Sequence, residues 1–530
     1  MKIVILGGTG VFGSRLARLL RRDGHSVTLA ARRGADALAA EIGADSLRHD
    51  RSQDPAPLFA AAPDLLIDAT GPFQHYGPDP YRLARAAIDA GVDYMDLSDD
   101  ADFTAGIVEL DAVAQAAGRV VLSGMSSVPA LSGAAVMALA EGMTAIDAID
   151  GAILPGNRAP RGHAVMAAIL HQAGRPMRVW HAGIWEMRRG WSDCRAYPLL
   201  GGGTRHGWLN RVPDLELFPS YFRARSVTFR AGLELPVMGR SLALLSVLRR
   251  VIRLPVPVGL AHRVASVLER LGTDRGGMVV TVSGDTPNGA VIRHWHLAAE
   301  EGEGPFVPAI PARAAVAAWP LRAGARAAIA EIPLAAMERA MADLAIRTER
   351  AERRAEPLFS KVLGADFEDL PKQVQDTHKV ITARRLSGLG RVSRGRGLWP
   401  RLIAFAFRFP PAGEAVRINV LKTRKGDTET WVRRFGRTTF RSTLKATPDG
   451  MTERFGPFTF ELGLHVDQGT LRFPVKGGRI GTVRIPSWAL PQSEAHEFVS
   501  DGTFRFDVTL RAPVTRQFII RYEGALGPVD

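Results

Sequence analysis

Cysteine is almost missing from this sequence: Cys194 is the only one in 530 residues. One thiol rules out an internal disulfide framework and a cysteine-rich zinc site, and it suits a reducing compartment, so a cytoplasmic location is expected. Long apolar runs are lacking too. No stretch reaches the roughly 18 uninterrupted apolar residues of a spanning helix. The nearest, Ser241 to Val258, is broken by Arg249, Arg250, Arg253 and two prolines. The opening Met1-Lys2-Ile3-Val4-Ile5-Leu6 meets glycine after four apolar residues, too few for the core of a secretory signal. An integral membrane segment is therefore not expected. Acidic residues fall short of basic ones, 54 against 68, for a net charge of +14. The cations are nearly all arginine, as in Ala/Arg/Gly-heavy coding, and no nucleic-acid module is recognisable. A solvated basic surface is expected, without specific nucleic-acid binding.

What the chain does have is globular composition, 46% apolar and 23% charged, at a length that calls for about three domains. From Met1 to Val121 short apolar runs alternate with segments of helical period, the pattern of βαβ units and a parallel sheet. Strands are expected at 2–6, 26–31, 46–49, 64–69, 93–97 and 119–123, with helices starting near Val11, Ala35, Pro55, Asp79 and Asp102. The fold class is α/β: a doubly wound Rossmann sheet over 1–130, then an α+β substrate and dimerisation domain over 131–323. A helical return to the first domain is expected over 324–346 and a charged linker over 347–357. From 358 to 530 the texture changes. Val416-Arg417-Ile418-Asn419-Val420 and Phe504-Arg505-Phe506-Asp507-Val508 alternate with period two, so a β-rich domain closes the chain.

The chemistry-bearing motif is Gly8-Thr9-Gly10-Val11-Phe12-Gly13, preceded by Gly7, between strand 2–6 and an amphipathic helix. In that setting Gly8 allows the turn, Gly10 lets a diphosphate approach the backbone, and Gly13 lets helix and strand pack closely. At the end of the second strand, where an acidic residue would mark NAD, stand Arg32 and Arg33, whose guanidinium groups suit the 2′-phosphate of NADP. Asp50 is a candidate for the adenine edge. Ala69-Thr70-Gly71-Pro72-Phe73 closes the fourth strand at the ligand-binding edge, and Gly124 follows the sixth. His75, Tyr76 and Asp96 are the candidate proton donors, each equally readable as a loop or structural residue. The pair His294 and His296 shares a strand face, but no third ligand is identifiable and no metal is expected. Arg158, Arg161 and His163, and the group Trp185, Arg188, Arg189 and Trp191, are candidate substrate contacts. Asp376, His378, Glu494, His496 and Glu497 read as surface polarity.

The glycine loop, then Thr70-Gly71-Pro72-Phe73 with Tyr76-Gly77, then Gly91-Val92-Asp93-Tyr94-Met95-Asp96-Leu97, and Ser132 after Pro129 together resemble the saccharopine dehydrogenase (saccharopine reductase)-like oxidoreductases. The resemblance implies an NADP-binding Rossmann domain, an inserted substrate domain that also mediates homodimerisation, and a late return to the first domain. Two departures stand out: Ser98-Asp99-Asp100 replaces the Gly-Glu pair of many relatives, and Ser123 to Pro129 lacks the acidic Gly-Leu-Asp-Pro-Gly turn. Saccharopine itself is therefore not carried over as substrate. Leu358 to Gly524 looks like an uncharacterised domain that recurs behind such modules. The expectation is an NADP-dependent oxidoreductase acting on a C=N, C=O or activated C=C bond of a small molecule. The alternatives are an NADP-binding sensor or scaffold without turnover, and a lipid-directed enoyl reductase whose basic amphipathic segment Leu242–Val267 makes a peripheral membrane contact.

Overall fold

The computed structural model describes residues 1–530 apart from 161–168, 253–258, 260–262, 264–266, 449, 530 and the side chain of Glu269. The chain divides into two units. One comprises 1–180, 185–282 and 292–353; the other comprises 181–184, 283–291 and 354–530.

The first unit opens with six parallel strands: β1 (Lys2–Leu6), β2 (Ser26–Ala31), β3 (Asp45–Arg48), β4 (Leu65–Asp68), β5 (Asp93–Asp96) and β6 (Val120–Ser123). Their order is β3-β2-β1-β4-β5-β6, and the strand Gly324–Ala327 adds a seventh member beyond β6. Side-chain alternation explains why β1 is apolar from Ile3 to Leu6. Ile3 and Ile5 enter the core on one face with Leu16, Leu19 and Leu20 of α1 (Val11–Arg22), while Val4 and Leu6 enter the core on the other with Leu66 and Tyr94. A parallel sheet covered on both faces needs such strands. Strand order reverses between β1 and β4, which opens a crevice at their carboxyl ends.

The same unit holds a nine-stranded mixed sheet, in which Ser226–Gly232 pairs parallel to Ala145–Leu154 and Gly276–Thr286 precedes Gly289–Ala299. Two expectations need correction here. Gly324–Ala327, expected to be helical, is a strand: β6 offers it an open edge, Gly324 N donates to Arg119 O (2.9 Å), and Ala325 N donates to Asp111 Oδ1 (2.9 Å). Pairing outweighs the weak helix preference of a short Ala-rich stretch. The supposed linker 347–357 is mostly the strand Ile346–Arg354 at the edge of the mixed sheet. Its charges keep a wet edge from pairing with other chains.

The second unit carries a thirteen-stranded antiparallel sheet, from Ala383–Arg394 to Phe518–Pro528. Among the described residues no helix is long and apolar enough to cross a membrane. The segment Leu242–Val267 begins within the helix Pro236–Leu248, and much of its remainder lies outside the described residues, as do Arg161 and His163.

Candidate active site

The turn after β1 carries its left-handed residue at Gly7 (φ +82°), one position earlier than expected. Gly7 and Gly8 N–H both donate to Ala30 O, at 2.8 and 3.3 Å, which pins the turn to β2. A Cβ on Gly13 would collide with Gly7 O, so glycine there is what lets α1 start directly behind the strand. No side chain caps α1 and its first turn holds no acidic residue. The first-turn amides and the positive end of the helix dipole therefore face the crevice free for an anion. Val11 and Phe12 stand in that first turn and Thr9 precedes it.

Arg32 and Arg33, just past β2, are exposed and make no hydrogen bond or ion pair among the described residues. Asp50 instead caps its own turn: its Oδ1 accepts from Ser52 N (2.9 Å) and Ser52 Oγ (2.8 Å), which holds the carboxyl below its usual range, with Arg32 and Arg51 adding to the effect.

The turn after β4 is built on Asp68, fully buried at the strand end. Its Oδ1 accepts from Thr70 N (2.9 Å) and Thr70 Oγ1 (2.6 Å), and its Oδ2 accepts from the Tyr76 hydroxyl (2.7 Å). Burial, then the Asp68 charge, push the Tyr76 phenol far up, so it stays protonated. Phe73 stacks on Tyr76 at 4.9 Å. On the other side Arg51 lies 4.1 Å above the Tyr76 ring and donates to Thr70 O (3.1 Å) and His75 O (3.2 Å). The effect is to brace Ala69 through Phe73 and turn the His75 imidazole outward, where it is exposed.

Facing His75 edge-on, with ring centroids 6.4 Å apart, is His171 of the same unit. Burial, then Arg175, His75 and Arg249, lower the pKa of His171, so its neutral form dominates at neutral pH. Asp96 is fully buried, and its Oδ1 accepts from Ser98 N (2.9 Å), Gly124 N (2.9 Å) and Ser123 Oγ (3.0 Å). It ties β5 to β6 and sets the Gly124 turn (φ +81°), and burial pushes its carboxyl up to about 7.

The structure thus brings the glycine turn, Arg32–Arg33, the β4 turn and Gly124 to one sheet edge, with His75 at the rim. Arg51 and His171 escaped the sequence reading, because nothing local to either marks a partner from another element. The expected group of Trp185, Arg188, Arg189 and Trp191 does not form. Trp185 packs on Trp180 under Arg178, whereas Trp191 is buried against Trp208. His294 bonds to Thr281 Oγ1 (3.0 Å), and burial lowers it to about 4. Among the described residues no three His, Cys, Asp or Glu side chains are placed to hold a metal. His378 and Glu497, read as surface polarity, are instead buried partners at 2.5 Å, because the fold sends both inward.

A glycine turn and an uncapped helix start at the switch point of a doubly wound sheet define a dinucleotide-binding domain of the oxidoreductase kind. Residues 3–122 match the family described as the saccharopine dehydrogenase NADP binding domain, and residues 370–526 match a domain of unknown function, DUF4166. The two matches fall in different units of the chain. No curated protein matches it. Similar solved structures are those of dehydrogenases and reductases. GenD2 from gentamicin A biosynthesis, in complex with NAD, is 15% identical over 55% of this chain and 71% of its own (TM-score 0.27). The WlbA dehydrogenase of Thermus thermophilus is 13% identical over 64% and 94% (TM-score 0.31), and the biliverdin reductase of Synechocystis is 13% identical over 55% and 83% (TM-score 0.26). Likeness at this level decides nothing about activity.

Proposed function

We propose that the chain binds NADP(H) at the carboxyl edge of its first sheet and moves hydride to or from a C=N, C=O or activated C=C bond of a small metabolite. The observation that carries this reading is an uncapped helix start behind the glycine turn, with two unpaired arginines at the end of the adjacent strand. When bound, the nicotinamide supplies or accepts the hydride. The first-turn amides of α1 hold the diphosphate, and Arg32 and Arg33 take the 2′-phosphate. Ala69 to Phe73 and Gly124 keep backbone against the cofactor. His75 exchanges the proton that accompanies hydride transfer, and His171, held neutral, accepts a hydrogen bond opposite it. Tyr76 and Asp96 act as positioning residues, since Asp68 engages the one and burial encloses the other.

That engagement also favours a second reading, an NADP-binding sensor without turnover. Calorimetry should show NADPH preferred over NADH. The double variant Arg32→Ala with Arg33→Ala should lose about 1.5–3 kcal/mol, or one to two powers of ten, toward NADPH alone. A protein that binds neither dinucleotide sinks the proposal. Stereospecific transfer of deuteride from labelled NADPH to a metabolite separates the enzyme from the sensor.

A further inference from the structure

The second unit holds a partly open cavity of about 580 Å³, the size of a small-molecule site. Alternate residues of many strands point into it, among them Ile418, Phe435, Phe460, Val508 and Leu526. Folded interiors are close-packed, and apolar voids large enough for a ligand stay dry and take up hydrocarbon. A cavity of this size and lining is larger than the packing defects of an ordinary core.

The charged groups at its wall already have partners. Lys422 Nζ donates to Thr377 O (2.9 Å), and Arg433 donates to Glu453 Oε1 (3.0 Å) and Ser442 Oγ (2.7 Å). Glu497 meets His378 at 2.5 Å. Burial pushes Lys422 down to about 8 and His378 down to about 4, so His378 stays neutral. The cations Lys422 and Arg433 thus face the carboxylates Glu453 and Glu497, and none of the four is left as an unpaired charge to select an ionic ligand. Tyr522 is different: it lines the cavity, and its hydroxyl makes no hydrogen bond among the described residues. Burial raises it to about 12, so it remains a donor.

The helix Leu398–Ala406 adds an independent observation. Trp399 and Ile403 line the cavity, yet Leu398 and Phe405 on the same helix are 85% and 82% exposed. Apart from Arg401 this helix is apolar, and helices of that composition are ordinarily buried. One left wet beside an apolar cavity suits the passage of hydrocarbon.

We propose that the C-terminal domain is a binding site for one neutral, mainly hydrocarbon small molecule, such as a long-chain alcohol or ketone or a fused-ring terpenoid, whose single polar atom meets Tyr522. The test is titration of the full-length protein with the neutral probe N-phenyl-1-naphthylamine. Saturable one-to-one binding with blue-shifted emission is expected, at least tenfold tighter than for anionic 1-anilinonaphthalene-8-sulfonate. Ala495→Trp and Val508→Trp, which fill the cavity, should each weaken binding at least tenfold with near-ultraviolet circular dichroism unchanged. Tyr522→Phe, which removes only the hydroxyl, should weaken it about three- to tenfold. The proposal is overturned by a folded protein that does not bind the probe saturably, by equal affinity for the sulfonate, or by binding that survives in natively folded cavity variants.

Discussion

Asp96 illustrates how position decides what a side chain can do. Its place at the end of β5 is readable from the sequence, but its burial depends on β6 arriving beside it, with Ser123 and Gly124 as donors. The carboxyl titrates near 7 in the folded chain against an ordinary value of 3.8. Between pH 4 and 7 the unfolded chain has already lost this proton while the folded chain keeps it, so rising pH penalises the folded state by up to about 1.4 kcal/mol per unit. Asp96→Asn cannot ionise. Relative to the wild type it should gain stability as pH rises from 4.5 to 7.5, by on the order of 3 kcal/mol. Urea midpoints at the two pH values check this, and a constant difference would refute it. Arg32 and Arg33 were legible because their meaning lies in distance along the chain from the glycine turn. His171 was not, since its partner His75 lies 96 residues away and only folding brings the rings to 6.4 Å.

At the scale of elements, α1 and β1 meet through Gly13. A Cβ there has only the Gly7 carbonyl to push against, and backbone cannot swing aside as a side chain can. Gly13→Ala should cost about 1–3 kcal/mol and weaken NADPH binding. Gly10→Ala should be milder, because its Cβ would stand 3.1 Å from the same oxygen. Thermal melts of the two variants, with calorimetric titration, test the order; equal losses would contradict it. Strands β1 to β6 were legible to within about a residue at each end, because most are short apolar runs between glycine, proline or acidic breaks; β3, Asp45–Arg48, is the polar exception. The strands Gly324–Ala327 and Ile346–Arg354 were not, since the first is Ala-rich and the second is charged, and each is a strand only because a sheet edge waits for it.

At the scale of the molecule, the two units carry separate cores, one flanking the parallel sheet and one inside the antiparallel sheet. Ligand added at 100 times its dissociation constant stabilises the state it binds by about 2.7 kcal/mol. NADPH should therefore slow amide hydrogen exchange in β1, α1 and β4 and leave the strands Ala383–Arg394 and Phe518–Pro528 unchanged. Mass-spectrometric exchange with and without NADPH reads this directly; protection spread equally over both units would refute it. The period-two alternation disclosed a β-rich C-terminal domain, but alternation is the same for a sheet that closes on a packed core and one that closes on a void.

The sequence alone determined the doubly wound domain, because its glycine turn and short strands recur at close spacing over residues 2–123, and it marked Arg32 and Arg33 as candidates for a cofactor phosphate. Only the tertiary structure decided which candidate donors are free, which histidines meet, and that His378, Lys422 and Glu497 lie beside a cavity. Those outcomes depend on burial and on pairing between distant segments, and neither is written in local order.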